Sequence, residues 1–262
     1  MKHALPRLDI KPLELPPLAG AADELWRLLL DLADVVDAPW TLVGGPMVML
    51  HGLQRGRPSP RVSADIDTVV DVRADPRGMR RMVRALTKLG LVPAGDPGPN
   101  GLMHRYVKPG TEVAIDLAVP AASVDVLVPE GLGPTADVTT SGRGRAFPAP
   151  GASQALARTE LVPVTYDSRQ QHVPRPDLLG AIVGKAVGAA VDDKEPERHI
   201  RDLAFLCSLV EDPFALAESI TPKDRKRLSR AVRKLSGTSP HWQGLDGRGD
   251  DARAVWEVLT SA

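Results

Sequence analysis

Cysteine is nearly absent from this chain. Cys207 is its only one, so no intrachain disulfide can form. It lies in an apolar helical run and reads as a small buried hydrophobe. Aromatic residues are scarce as well, at 3% against 43% hydrophobic residues in all. The core must therefore be assembled from Leu, Val and Ala, and few rings are available for stacking on bases. Neither sign of charge is in excess: 33 Lys and Arg balance 33 Asp and Glu, for a formal net charge of +0. The molecule as a whole is no electrostatic sponge for nucleic acid, and any polyanionic partner needs a local basic face. No run has the length and apolarity of a membrane span. The opening MKHALPRLDIKPLELPPL lacks the apolar centre of a signal peptide. A soluble cytoplasmic protein with no membrane partner is expected. Zinc spacing of Cys and His is missing, as is any internal repeat.

Proline (25) and glycine (23) are plentiful and scattered along the 262 residues, a length that allows one large domain or two small ones. Residues 1–19 read as a Pro-punctuated extended arm. Residues 21–36 carry Leu25, Leu28, Leu29 and Leu32 on one helical face. Residues 40–43 form a short strand that runs into Gly44-Gly45, and 46–53 a helix with Pro46 in its first turn. Residues 54–61 are a loop rich in Arg, Gly and Pro, and 64–72 a strand. Asp75-Pro76 starts a helix that ends near Gly90. Residues 102–107 and 112–119 read as strands joined through Pro109-Gly110. Residues 129–151 are Gly/Pro-rich and fit a loop over the site or a linker. A strand at 161–166 would be held to a sheet edge by Pro163. Helices then follow at 176–191, 195–210, 213–219, 222–235 and 251–259, with Thr221-Pro222 and Asp224 marking a helix start. The expected fold class is α/β (α+β): a mixed sheet flanked by helices over residues 20–170, then a helical region over 171–262.

The chemistry concentrates in GGPMVMLHGLQRGRPSPRVSADIDTVVD, residues 44–71. Asp65 and Asp67 stand at i and i+2 of a strand and share a face, with Cα atoms roughly 6–7 Å apart. That spacing lets them share two divalent ions about 3.5–4 Å apart, as phosphoryl transfer requires. Asp116, in VAIDLAV, is a lone carboxylate in an apolar run, costly unless paired, hydrogen-bonded or bound to metal. On a neighbouring strand it would bring a third acid to the same face, where mutual repulsion calls for cations. Asp71 reads as a strand-end surface acid. Gly44 and Gly45 allow close backbone approach and present helix N–H groups to a phosphate. Ser63 either supplies a hydroxyl there or is a strand-edge serine. Among the loop arginines Arg61 is the strongest candidate for gripping phosphate, ahead of Arg55 and Arg57. His51 reads as structural.

Gly-Gly, a short helix and then Ser-x-Asp-x-Asp resemble the nucleotidyltransferase fold of the DNA polymerase β superfamily. A second segment, PDLLGAIVGKAVGAAVDDKEPERHIRDLAFL, resembles the other signature of AbiEii/AbiGii-type toxin nucleotidyltransferases. On residues alone, Lys185 either snorkels to water or points at an anionic site, and Asp202 reads as a surface acid paired with an arginine. The resemblance implies more. Lys185 would contact nucleotide phosphates, and Asp202 would orient Lys185 or the acceptor. It implies an NTP substrate, two Mg²⁺ ions on Asp65, Asp67 and Asp116, an RNA acceptor such as the 3′ end of tRNA, and a separately encoded antitoxin partner. In this family pattern Ser often follows the second glycine, and here Pro46 stands in its place. A small-molecule nucleotidyltransferase and a non-catalytic nucleotide-binding protein are the other readings. Two basic helices, Arg77, Arg80, Arg81 and Arg84, and Lys223 to Lys234, either meet an RNA backbone or are solvated faces.

Overall fold

The structure, a computed structural model, describes residues 5–17, 21–59, 61, 63, 65–98, 100–109, 122–132, 139–141 and 144–261. In chain order its elements are β1 (Leu13–Glu14), α1 (Ala21–Val35), β2 (Trp40–Val43), α2 (Gly44–Gln54), β3 (Asp65–Val70), α3 (Gly78–Lys88), β4 (Val92–Pro93), β5 (Arg105–Val107), β6 (Ser123–Pro129), β7 (Thr139–Ser141), β8 (Gly144–Arg145), β9 (Phe147–Ala149), α4 (Ala152–Ala157), β10 (Thr159–Tyr166), β11 (Arg169–Pro176), α5 (Leu178–Val191), α6 (Pro196–Cys207), α7 (Pro213–Glu218), α8 (Pro222–Ala231) and α9 (Gly249–Ser261).

The main sheet is mixed, in the order β2-β3-β6-β5-β4, with β9 also beside β6. Only β3 and β9 run parallel to β6; the other pairs are antiparallel. A second sheet has the order β1-β10-β11, and β7 and β8 form a small hairpin. The expected mixed sheet flanked by helices, followed by a helical region, is the observed architecture. The strand expected at 112–119 lies outside the described residues. The 129–151 stretch contributes β7, β8 and β9.

Pro163 does not confine its strand to an edge. β10 is the middle strand of its sheet, with β1 on one side and β11 on the other. Leu161 N–H donates to Pro6 O, and Thr165 O accepts from Leu15 N–H, so odd-numbered residues of β10 face the N-terminal arm. Pro163 therefore presents its missing N–H to the arm, in the gap between the Arg7–Leu161 bridge and the Leu13–Val164 pair. No ladder bond is lost there. The described part of the arm, residues 5–17, is thus stitched to β10. β10 returns as β11 through Asp167 and Ser168, both at positive φ (51° and 62°). Two residues of that conformation make the tight turn whose twist suits a hairpin.

α2 is apolar nearly all round, which only a helix covered on most sides tolerates. It packs on β3, and α5 and α6 pack on it in turn. Asp177 caps α5 by accepting from Gly180 N–H at 2.7 Å, and Pro196 opens α6 at a position where a missing N–H costs nothing. One continuous core joins Leu25, Leu29, Leu50, Ile66, Val124, Ile182, Leu203 and Leu206, all of them fully buried. Cys207 is fully buried within it, and the apolar surroundings push its thiol pKa well up.

Candidate functional site

β2 pairs with β3 so that Val43 lies opposite Asp67, and the chain then turns directly into α2. Gly44 makes that turn at φ +74°, and a Cβ there would overlap Asp67 Oδ2. The Gly44 backbone is therefore pressed against the carboxylate. A Cβ on Gly45 would stand 2.5 Å from Ser63 Cβ. Both glycines serve close approach, which no other residue type permits. The N-terminus of α2 has no side-chain cap, since Val43 offers none. Its first N–H groups remain as donors, except at Pro46. A Gly44→Ala variant should lose about 1–3 kcal/mol of stability through left-handed strain alone. A methyl group there should also displace Asp67. A urea melt within 0.5 kcal/mol of wild type would contradict this geometry.

Asp65 and Asp67 share a face of β3 and are both partly exposed. β6 lies parallel on the far side of β3, in a register that places Asp125 directly across from Asp67. Asp125 is the third acid of the row, and it is buried. Burial first, and then the charge of Asp125, push the Asp67 carboxyl up to about 6; Lys185 acts the other way. On the other flank of β6, β5 places Arg105 opposite Asp125. Its guanidinium grips Asp125 with both arms of the fork, at 2.9 and 2.8 Å, and comes to 3.9 Å from Asp65. Those hydrogen bonds raise the Arg105 pKa further.

Behind this row lies an ionic triad built on a buried pair. Asp202 is fully buried on α6, and Lys185 on α5 is 4% exposed. Lys185 Nζ lies 2.7 Å from Asp202 Oδ2, and Arg61 donates to the same carboxylate at 3.0 and 2.9 Å. Burial alone would raise the Asp202 pKa, but Lys185 and Arg61 together outweigh it and hold the carboxyl below its usual range. Burial in turn lowers the Lys185 pKa. Lys185 thus neither snorkels nor stands free, and Asp202 is no surface acid.

The structure brings together Gly44, Gly45, Ser63, Asp65, Asp67, Arg61, Lys185 and Asp202. Asp116 lies outside the described residues. Of the loop arginines only Arg61 joins the site; Arg57 donates to Ser208 O at 3.0 Å and Leu245 O at 2.9 Å, and Arg55 reaches back to its own helix. His51 is buried, 3.1 Å from Pro176 O. α3, with Arg77, Arg80, Arg81 and Arg84, is not on the side of the acids. Its Gly78 packs on Val70, which faces away from Asp65 and Asp67 by parity. Asp125 and Arg105 were missed from the sequence. Asp125 in SVDVLVP is a lone acid in a β-branched run, the same signal that VAIDLAV carries.

The sequence resemblance implies a divalent ion, and Asp65 and Asp67 are the carboxylates that would hold one. Asp65 and Asp67 are adjacent, reachable carboxylates, one of them held off its ordinary ionisation. Asp125 is not free to join them. Among the described residues no group of three His, Cys, Asp or Glu side chains is arranged to hold a metal. Nor, among these residues, is any helix long and apolar enough to cross a membrane.

The chain matches no protein-family model and no curated protein. Its fold is similar to that of an antigenic nucleotidyltransferase-like protein from Paracoccidioides brasiliensis, with TM-score 0.50 and 14% identity over 91% of this chain and 92% of that one. JHP933 from Helicobacter pylori aligns over 93% and 94% of the two chains, at 15% identity and TM-score 0.40. The architecture that carries Asp65, Asp67 and Gly44-Gly45 is a nucleotidyltransferase-like fold.

Proposed function

We propose that the protein transfers a nucleotidyl group from an NTP to an acceptor hydroxyl. The observation that carries this reading is the contact of Gly44 with Asp67. It sets an uncapped helix N-terminus, which favours phosphate, directly against two carboxylates, which favour a cation. A nucleoside triphosphate with its counter-cation supplies both. In the transfer, the acceptor oxygen forms a bond to the α-phosphorus as the bond to pyrophosphate breaks. A divalent ion, when bound, neutralises charge on the phosphate oxygens. Asp65 and Asp67 would hold it, and the free N–H of Gly45 would donate to the phosphate. Lys185 and Arg61 add positive potential from behind, fixed in place by Asp202 rather than free to reach the ligand.

The acceptor we propose is RNA, with the 3′ end of tRNA first, and the biological role that of a toxin countered by an antitoxin. The AbiEii/AbiGii-like sequence pattern supports this extension. The exposed basic positions of α8, among them Lys223, Arg225, Lys226 and Arg230, offer phosphate contacts without base readout. The test is incubation with Mg²⁺, total tRNA and each α-labelled NTP in turn, beside Asp67→Ala. Label should enter tRNA with wild type alone, and the NTP that delivers it names the nucleotide. Label that enters only a cationic hydroxylated small molecule would replace RNA as acceptor. Label that enters nothing would overturn transfer.

A further inference from the structure

Arg105, Asp125 and Asp67 stand in one row across three adjacent strands, each directly opposite the next. Side chains of such partners point to the same face. The row therefore reads plus, minus, minus, with Asp65 two residues from Asp67 on that face. Sites that transfer phosphoryl groups with two cations use carboxylates of this kind to hold the second one. Here the carboxylate is already filled. A guanidinium fork and a carboxylate match in plane, and the 2.9 and 2.8 Å bonds occupy both Asp125 oxygens. A divalent ion would have to displace the fork to bind there. The same guanidinium leans toward Asp65, at 3.9 Å. Its charge is permanent at any working pH. With its side chain 49% exposed, it is open to a ligand on the site face while Asp125 anchors it from below.

We propose that Arg105 is a built-in cation standing where a second divalent ion would bind, so that the site takes a single divalent ion on Asp65 and Asp67. The proposal rests on the nucleotidyl-transfer reading and specifies its cation chemistry: one exchangeable charge and one covalently attached charge face the phosphates. Arg105 is then a substrate-facing residue, and Asp125 positions it.

The number of ions bound is the discriminating quantity. Mn²⁺ binding to the full chain, followed by loss of the free-ion electron paramagnetic resonance signal, should show one ion per wild-type chain. Asp67→Asn should weaken that ion at least tenfold. Arg105→Ala releases Asp125 and should raise the count to two, whereas Arg105→Lys keeps the charge and the count of one. Two ions on wild type, or a count that stays at one in a folded Arg105→Ala chain, would overturn the inference and leave nucleotidyl transfer standing. No ion at all on wild type would overturn it together with the divalent-ion reading of Asp65 and Asp67. The wild-type count needs no variant to fold.

Discussion

An Asp202→Ala chain should be about 3–5 kcal/mol less stable than wild type, the cost of breaking a buried ion pair from one side. Asp202 has no exposure, and it is the sole ionic partner of Lys185 among the described residues. Its removal strands an ammonium in the core beside the Arg61 guanidinium, two like charges left without a hydrogen-bonded anion and with only Asp67 and Asp65 acting at longer range. The pH dependence follows from the sign of the shift. The Asp202 pKa is lowered in the folded chain, so its stabilisation is fully present above the ordinary carboxylate value near 3.8. It is lost as pH falls through the folded value. The acid-unfolding limb should therefore be steeper in wild type than in Asp202→Ala. The double variant Lys185→Met, Asp202→Leu removes both buried charges together and should recover most of the loss in a urea melt. If it regains stability and still transfers nothing, the triad acts through its charge. A single Asp202→Ala change costing under 1 kcal/mol would sink the buried-pair account.

That triad shows how far the sequence could be read. Asp65 and Asp67 were legible because two-residue periodicity in a β-branched run assigns a face locally. Gly44-Gly45 was legible because a strand and a helix abut it. Lys185 was visible as an oddity in an apolar helix, but the residues alone did not name its partner; only the family resemblance pointed to Asp202. Which carboxylate meets a buried lysine depends on how α5 and α6 cross, and no local pattern encodes that. The third acid posed the same problem in another form. VAIDLAV and SVDVLVP both place one Asp in an apolar run, and only strand order says that Asp125 lies beside Asp67. Arg105 sits on a three-residue strand too short to carry a periodic signal. Pro163 misled because the edge rule concerns one missing N–H. The arm leaves a gap at just that N–H, so a middle strand tolerates it. The hairpin after it went unseen because Asp167 and Ser168 take a turn conformation in which Asn-Gly is the usual signal.

Asp67→Asn should act in the opposite sense to Asp202→Ala, stabilising the ion-free fold while abolishing transfer. Its carboxyl is pushed up to about 6 by burial and then by Asp125. Between the ordinary value near 3.8 and about 6, the folded chain holds a proton that the unfolded chain has lost. Stability therefore falls as pH rises through that window, and above it the full cost of the ionised group remains. Asparagine keeps the shape and removes the charge. At pH 8 the variant should gain on the order of 2 kcal/mol over ion-free wild type, and at pH 4 the two should converge. Added Mg²⁺ should close the gap from the other side, stabilising wild type by mass action and leaving the variant unmoved. Activity should fall at least about 10²–10³-fold, the scale of losing one preorganised electrostatic group. Urea melts at pH 4 and 8, with and without Mg²⁺, test the stability half, and labelled-NTP transfer tests the other. A variant that is no more stable at pH 8 and still active would remove Asp67 from the site. The two carboxylates thus separate by environment. Asp202 has two cations of its own and strengthens the fold, while Asp67 faces Asp125 and Asp65 and weakens it until a cation arrives. A residue that destabilises the empty fold yet sits on an inner strand of the main sheet, against a glycine that yields to it, is placed for its ligand rather than for the fold.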